Sequence, residues 1–229
     1  MSRSSTLPVV AIDGPAASGK SSTARSVAEQ LGLLHVDSGA LYRTATWLAV
    51  RQGLSEPAAI VAALDQAGIT LVPQGAGLEV RLGGVTVEPA IRDDAVTARV
   101  SEVAAMPAVR AWVDRQLRDA IARAGGGVMD GRDIGTVVFP DARLKVFLTA
   151  TPGARAERRL RQVDRGGDPA EVAAEAERLA ERDRLDAGRA VAPLRQAPDA
   201  RVLDTTGLGF AEQVAQIVAW AREAGLSAD

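Results

Sequence analysis

The chain has 229 residues, 47% of them hydrophobic and 24% charged, with a formal net charge of −2 and no cysteine. That length suits one compact domain with a small insertion. The charge lacks the basic footprint of a nucleic-acid binder, and the missing cysteines exclude disulfides and thiolate metal sites. The N-terminus, Met1 to Leu7, is short and polar with no apolar stretch of signal-peptide length, and no run approaches a membrane span, so the expectation is a soluble cytoplasmic protein.

Taken in chain order, Pro8-Val9-Val10-Ala11-Ile12 is a short apolar run of the kind a buried parallel strand shows, with Val9–Ile12 as its core. It leads into Gly14-Pro15-Ala16-Ala17-Ser18-Gly19-Lys20-Ser21, followed by Ser22. This fits G-x-x-x-x-G-K-[ST], the loop that wraps the phosphates of a nucleoside triphosphate. Its glycines let backbone N–H groups turn inward, and the next helix presents its positive end to the ligand. Lys20 is expected to reach the β- and γ-phosphates, and the Ser21 hydroxyl to hold Mg²⁺. Only Lys20 and Lys145 occur in a chain otherwise based on arginine, so the lysine suits a need for compact charge.

Ala24, Val27, Ala28 and Leu31 recur at helical spacing and predict a helix over Lys20–Leu31, ended by Gly32. Further helices are expected at Ala40–Gln52, Pro107–Ala124, Pro152–Arg165, Pro169–Ala187 and Phe210–Ala224. Core strands are expected at Leu33–Val36, Val128–Met129, Leu144–Leu148 and Arg201–Leu203. Strands alternating with helices favour a parallel sheet covered on both faces. Between them, Leu78, Val80 and Leu82 alternate, Gly83-Gly84 follows, and Val85 and Val87 alternate again, which reads as a β-hairpin. With Ile69–Val72 it predicts a small antiparallel sheet inserted into the α/β core.

In open α/β sheets the carboxyl ends of strands face the ligand crevice. Asp37-Ser38-Gly39 ends the second strand and is an ordinary helix start, but a cap does not account for Arg43 one turn on. Asp130-Gly131-Arg132-Asp133 ends the third strand. There a planar arginine suits a phosphate, and Asp133 can accept from a base or orient the arginine; the plain alternative is a surface turn with an ion pair. Arg155, Arg158 and Arg159 share one expected helical face, as do Arg178, Arg182 and Arg189, with Gly166-Gly167 as a hinge between the helices. Interleaved acids allow solvated pairs, but together the two faces suggest a lid that closes on phosphates. His35, the single histidine, lies inside an apolar strand and is expected to pack there. No Asp/Glu/His cluster has metal-ligand spacing. The absence of an obvious general base fits an acceptor that is itself a phosphate, largely dianionic near neutrality with a second pKa of about 6.

Together, Ile12-Asp13-Gly14-Pro15, Asp37-Ser38-Gly39-Ala40-Leu41-Tyr42-Arg43, the segment from Asp130 to Pro140, Glu181-Arg182-Asp183, and Arg189-Ala190-Val191-Ala192-Pro193-Leu194 resemble bacterial-type cytidylate kinases of the P-loop nucleoside monophosphate kinase group. The resemblance spans nearly the whole chain in order. It implies a P-loop NTPase-type α/β fold with a five-stranded parallel core, a β-containing insertion on the monophosphate side (residues 67–104, within a core of 1–66 and 105–229), and an arginine lid (153–170). It implies transfer of the γ-phosphoryl group of ATP to CMP or dCMP with Mg²⁺. Carried over by position, Arg43 and Arg132 hold the CMP phosphate, with Ser38 at the same strand end. Ser101, Arg110 and Asp133 read the cytosine. Arg182, Asp186 and Arg189 contact ribose and the transferring phosphates, with Asp186 a partner for the 2′-hydroxyl. Lys20, Arg132, Arg158 and Arg182 are the candidate catalytic set. ATP and CMP or dCMP are the expected partners, with no nucleic acid or membrane, and nothing in the sequence demands more than a monomer.

Two other readings are weaker. A kinase for a sugar or shikimate-like alcohol would want a positioned base. A GTPase-like switch normally carries an Asn-Lys-x-Asp segment, and this chain has no asparagine.

Overall fold

Strand β1 (Val9–Asp13) is buried along its whole length and alternates between two cores. Val9 and Ala11 face one layer of helices, and Val10 and Ile12 face the other. The computed structural model describes residues 7–163 and 168–226. Around β1 stand α1 (Lys20–Leu31), β2 (His35–Asp37), α2 (Ser38–Gln52), α5 (Pro107–Ala124), β6 (Gly127–Gly131), β7 (Leu144–Thr149), β8 (Arg201–Asp204) and α8 (Phe210–Glu223). Five strands run parallel in the order β2–β6–β1–β7–β8. Helices α1 and α8 cover one face, while α2 and α5 cover the other. This is the expected doubly covered sheet, and its strand order puts the ends of β1, β2 and β6 side by side.

The expected strand Leu33–Val36 is shifted. Leu33 instead closes α1, its N–H bonded to Ala28 O at 2.9 Å, and the ladder begins at His35.

The inserted strands are β3 (Ile69–Gln74), β4 (Gly77–Leu82) and β5 (Val85–Thr86), paired antiparallel as the alternation predicts. They do not form a separate sheet. Gly77 pairs parallel with His35, and the His35 N–H donates to Ala76 O at 2.6 Å, so the hairpin prolongs the main sheet past β2. The physical reason is the edge: without the hairpin, β2 would leave backbone donors and acceptors unpaired.

Two helices were not anticipated. Seven consecutive residues of helix α3 (Pro57–Gln66), Ala58 to Leu64, are Ala, Val, Ile or Leu, so no polar stripe marks its period; Ile60 and Leu64 are its buried anchors. Helix α4 (Asp94–Val103) buries Val96, Val100 and Val103 and is capped by Asp93, whose side chain accepts from Val96 N. Residues Ile134–Val138 form one π-helical turn after β6. Helix α6 (Pro152–Gln162) stops before the expected Arg165, and residues 164–167, with the expected Gly166-Gly167 hinge, lie outside the described residues. Helix α7 (Pro169–Ala187) packs against α6, and a small cluster of Ala156, Leu179 and Ala16 joins the pair to the loop after β1. Among the described residues no helix is long and apolar enough to cross a membrane.

Candidate active site

The loop between β1 and α1 is shaped by close approach. A Cβ on Gly14 would lie 2.0 Å from the Leu148 carbonyl oxygen of β7, so only glycine lets the chain turn there. Gly19 has φ 92°, a left-handed conformation that opens α1 at Lys20 with its free N–H groups turned to the loop. Lys20 is buried, and its ammonium donates to Pro15 O at 2.6 Å and to Ser18 Oγ at 3.2 Å. Burial, and then the charge of Arg132, pushes its pKa well below the ordinary lysine value. An anion would relieve both effects.

Behind the loop stands Asp130, at the end of β6. Its Oδ2 accepts the Ser21 hydroxyl at 2.6 Å, its Oδ1 lies 2.8 Å from His35 Nε2, and its backbone oxygen accepts the Ser38 hydroxyl at 2.6 Å. Burial raises the Asp130 pKa, but the His35 contact, the Ser21 hydroxyl and Lys20 outweigh it and hold the carboxyl below the usual range. Burial and the adjacent Asp130 charge push Asp37 the other way. Asp37 itself caps α2 through Ala40 N at 3.2 Å and meets Arg92 at 3.4 Å. The set Ser21 and Asp130 offers hard oxygen donors of the type Mg²⁺ takes.

In front of the loop opens a cleft of about 470 Å³. Arg43, Arg132, Arg182 and Arg189 line it. Asp186, 1% exposed, holds two of them: it accepts from Arg132 Nε and Ser101 Oγ, each at 2.9 Å, and from Arg189 Nη2. These partners hold its carboxyl below the ordinary range despite burial. Arg43 is held by Ile91 O and the Thr97 hydroxyl. Burial and neighbouring arginines lower Arg182 to about 9 and Arg43 to about 10. Among the described residues, the buried Nε atoms of Arg182 and Arg189 meet no hydrogen-bond partner. Orphaned guanidinium donors beside cations depressed by one another call for an anionic ligand with several oxygen acceptors.

The same cleft ends at a buried ion pair, Arg110 with Asp133. Arg110 also donates to Ala104 O at 3.2 Å and lies 5.4 Å over the Tyr42 ring. Burial lifts Asp133 to about 7, because the nearby charges of Asp13 and Asp114 offset much of what Arg110 and Arg189 lower.

A second cleft of about 450 Å³ lies across the loop and shares Ala17, Gly19, Ser22 and Gln162 with the first. Arg158, Leu208 and the half-exposed Phe210 line it. The loop thus stands between two clefts.

The cytidylate kinase family profile matches residues 10–223. The chain belongs to the cytidylate kinase family. A bifunctional pantoate ligase/cytidylate kinase of Prochlorococcus marinus (strain MIT 9303) is 46% identical over 215 residues, covering 92% of this chain and 44% of that protein. A protein of the same description from Synechococcus elongatus is 44% identical over 226 residues, covering 96% of this chain and 43% of that one. The chain thus spans less than half the length of these curated relatives. Among solved structures, an uncharacterized protein from Eubacterium ventriosum superposes with a TM-score of 0.53 at 10% identity, over 95% of this chain and 99% of that one, a likeness of fold alone.

Of the site residues expected from the loop motif, the strand ends and the family resemblance, the first cleft brings together Ala16, Ala17, Gly19, Lys20, Ser21, Ser22, Ser38, Arg43, Ser101, Arg110, Arg132, Asp133, Arg182, Asp186 and Arg189. Gly14, Pro15 and Ser18 shape the loop from outside that lining, with Ser18 fully buried. Arg158 is in the second cleft, where it donates to Thr205 O at 2.6 Å, Thr205 Oγ1 at 2.8 Å and Ser18 O at 3.3 Å.

The expected common face of Arg155, Arg158 and Arg159 divides three ways: Arg155 turns onto Asp183 and Ala16 O, Arg158 onto Thr205, and Arg159 into the first cleft. Arg178 does not join Arg182 and Arg189. Its side chain is 72% exposed and pairs with Glu175. Nor does Asp133 orient Arg132; it pairs with Arg110, while Arg132 goes to Asp186.

Sequence reasoning passed over Asp130 as a partner of Ser21, Asp183 as a partner of the phosphate loop, and the second cleft. The strand-end position of Asp130 was the available signal. The other two depend on how α6, α7 and the loop before α8 pack together.

Proposed function

We propose that the chain transfers the γ-phosphoryl group of ATP to the phosphate of CMP or dCMP, giving ADP and CDP or dCDP. One observation carries the reading: the cleft that begins at the phosphate loop and four arginines ends at the buried Arg110–Asp133 pair. One end suits phosphate, and the other suits a base edge with both donors and acceptors.

Cytosine presents an N4 amino donor beside N3 and O2 acceptors. Asp133 accepts from the amine, and Arg110 donates to the acceptors. Uracil puts an acceptor where cytosine has its amine, which sets two lone-pair groups face to face in a buried site and leaves one Asp133 acceptor position without its donor. Arg43 and Arg132 take the acceptor phosphate, and Arg182 lies where charge spreads during transfer. Asp186 holds Arg132 and Arg189 in place and faces the ribose.

An oxygen of the acceptor phosphate attacks the γ-phosphorus, and the bond to the β–γ bridging oxygen breaks, so that ADP leaves. A dianionic acceptor needs no protein base. Lys20 and the loop N–H groups follow the developing charge. Ser21 and Asp130 would hold Mg²⁺, which would supply further charge neutralisation during transfer. Ser21 donates its hydroxyl hydrogen bond to Asp130, which leaves the oxygen lone pairs free for a cation. The hairpin region (67–104) serves as the acceptor-side cover, and α6 with the start of α7 serves as the lid. The second cleft, with Phe210 and Arg158, takes the ATP base.

The test is ADP formation from MgATP with CMP, dCMP, UMP, AMP, GMP, dTMP, shikimate or no acceptor. Activity confined mainly to CMP and dCMP is expected. Activity with another acceptor discards the cytosine pocket, and binding of ATP without turnover on any acceptor discards the kinase reading.

A further inference from the structure

The mechanism above makes no use of His35. It is the chain's only histidine, it is 2% exposed, and it sits in the middle of a hydrophobic sheet. A polar side chain buried in such a place costs stability unless it is hydrogen-bonded, and an apolar residue would pack there without that cost. Its Nε2 meets Asp130 Oδ1 at 2.8 Å. The opposite oxygen of the same carboxylate accepts the Ser21 hydroxyl at 2.6 Å, and the Asp130 backbone oxygen accepts Ser38. A carboxylate only accepts, so the proton in the His35 contact is on Nε2. The His35 backbone is fixed in turn: it donates to Ala76 O and pairs with Val128 and Gly77.

We propose that His35 is a positioning residue for phosphoryl transfer: its Nε2–H holds one oxygen of Asp130, so that the other stays on Ser21 and orients that hydroxyl for the nucleotide-bound cation. A carboxylate held at one oxygen alone can swing about its Cβ–Cγ bond. Held at both, it keeps Ser21 in one rotamer. The ring contributes an N–H donor at a fixed place, and the role rests on that geometry. The contact also ties the hairpin edge to the phosphate loop through the chain β4–His35–Asp130–Ser21.

This proposal rests on the reading of the loop as an MgATP site and is independent of the acceptor. Its test compares His35→Phe, which keeps a ring and removes the donor, with His35→Gln, which keeps an N–H at a similar reach. Binding of ADP is measured by calorimetry with and without Mg²⁺, alongside KM for CMP. In His35→Phe the Mg²⁺-dependent gain in ADP affinity is expected to fall about tenfold, the scale of one hydrogen bond to a charged group. Metal-free ADP binding and KM for CMP stay near the parent, and His35→Gln recovers most of the gain. A parental Mg²⁺ gain in His35→Phe, or equal loss in both variants, overturns the proposal.

Should His35→Phe fail to fold, nitrogen-15 NMR of the parent decides. A protonated Nε2 resonance that moves with MgADP but not with ADP alone supports the role, and one unmoved by either overturns it. A parent that binds no ADP under any condition overturns the MgATP reading and this proposal with it. Mg²⁺-enhanced binding that survives in His35→Phe overturns the proposal alone.

Discussion

The carboxylate of Asp183, on α7, accepts the backbone N–H of Ala16, in the phosphate loop, at 2.9 Å. Arg155, on α6, binds the other oxygen of Asp183 and donates to the carbonyl of the same Ala16 at 3.0 Å. One residue of the phosphate loop is thus held on both of its peptide faces by the two lid helices. A lid fastened this way senses the shape of the loop, which the triphosphate sets. Asp183→Ala leaves Arg155 buried beside an unanswered loop N–H. We expect KM for ATP to rise about tenfold or more, since a charge-assisted hydrogen bond contributes about 1.5–3 kcal/mol. We also expect the ratio of ATP hydrolysis to CMP phosphorylation to increase, because a loosened lid admits water. Steady-state kinetics with and without CMP measure both; an unchanged ratio removes Asp183 from lid closure.

Arg132 tests the acceptor side separately. It is held by Asp186 at 2.9 Å, and Asp186 keeps Ser101 and Arg189 as partners when Arg132 is lost, so the fold tolerates Arg132→Ala. The lost guanidinium would have met the acceptor phosphate and the charge that develops beside it. Turnover with CMP is expected to fall about 10³-fold, the scale of arginine contributions to phosphoryl transfer, while ATP affinity changes little. Retained turnover would remove Arg132 from the chemistry.

Asp186 itself bears on the sugar. Its two oxygens are shared among Arg132, Arg189 and Ser101, and it lies in the acceptor cleft. If it also accepts from the 2′-hydroxyl, Asp186→Ala lowers kcat/KM for both substrates through the freed arginines but lowers it more for CMP. The ratio of CMP to dCMP activity is then expected to drop by about five- to tenfold, the worth of one hydrogen bond. An unchanged ratio assigns Asp186 to arginine placement alone.

The pattern of what the sequence revealed has physical causes. The phosphate loop was legible because its geometry depends on local requirements: glycine at Gly14 against Leu148, glycine at Gly19 in a left-handed turn, then an amphipathic helix. The parallel strands were legible because burial on both faces demands continuous apolar runs. Helix α3 was not, since a segment rich in alanine carries little period. Residue partners were the least accessible. Arg155, Arg158 and Arg159 lie close together on one helix, yet their partners differ (Asp183 on α7, Thr205 after β8, and the first cleft), and spacing alone does not say which. The pairing of Arg132 with Asp186 joins positions 54 residues apart, and that of Asp130 with Ser21 joins positions 109 apart. Such pairs are products of topology, visible only once the ends of β1, β2 and β6 stand together with α7 across them.

Asp133 gives the acceptor cleft a pH dependence whose sign follows from its environment. Burial is the main cause that lifts its pKa from 3.8 to about 7. Above that value the carboxylate is charged, pairs with Arg110 and accepts strongly from the cytosine amine; below it, the neutral acid keeps only a weaker carbonyl acceptor and presents an O–H where an acceptor is wanted. kcat/KM for CMP should therefore decline as pH falls through about 7, in addition to the decline near pH 6 from protonation of the substrate phosphate. Asp133→Asn separates the two. Asparagine can still offer a carbonyl to the amine, but Arg110 is left buried without its counter-charge, so kcat/KM drops about 10- to 100-fold at pH 8. The limb near 7 disappears, while the substrate limb near 6 stays. Profiles recorded from about pH 5.5 to about 8.5 for both proteins make the comparison. A limb near 7 that persists in Asp133→Asn would assign it to another group and remove the charge of Asp133 from base recognition.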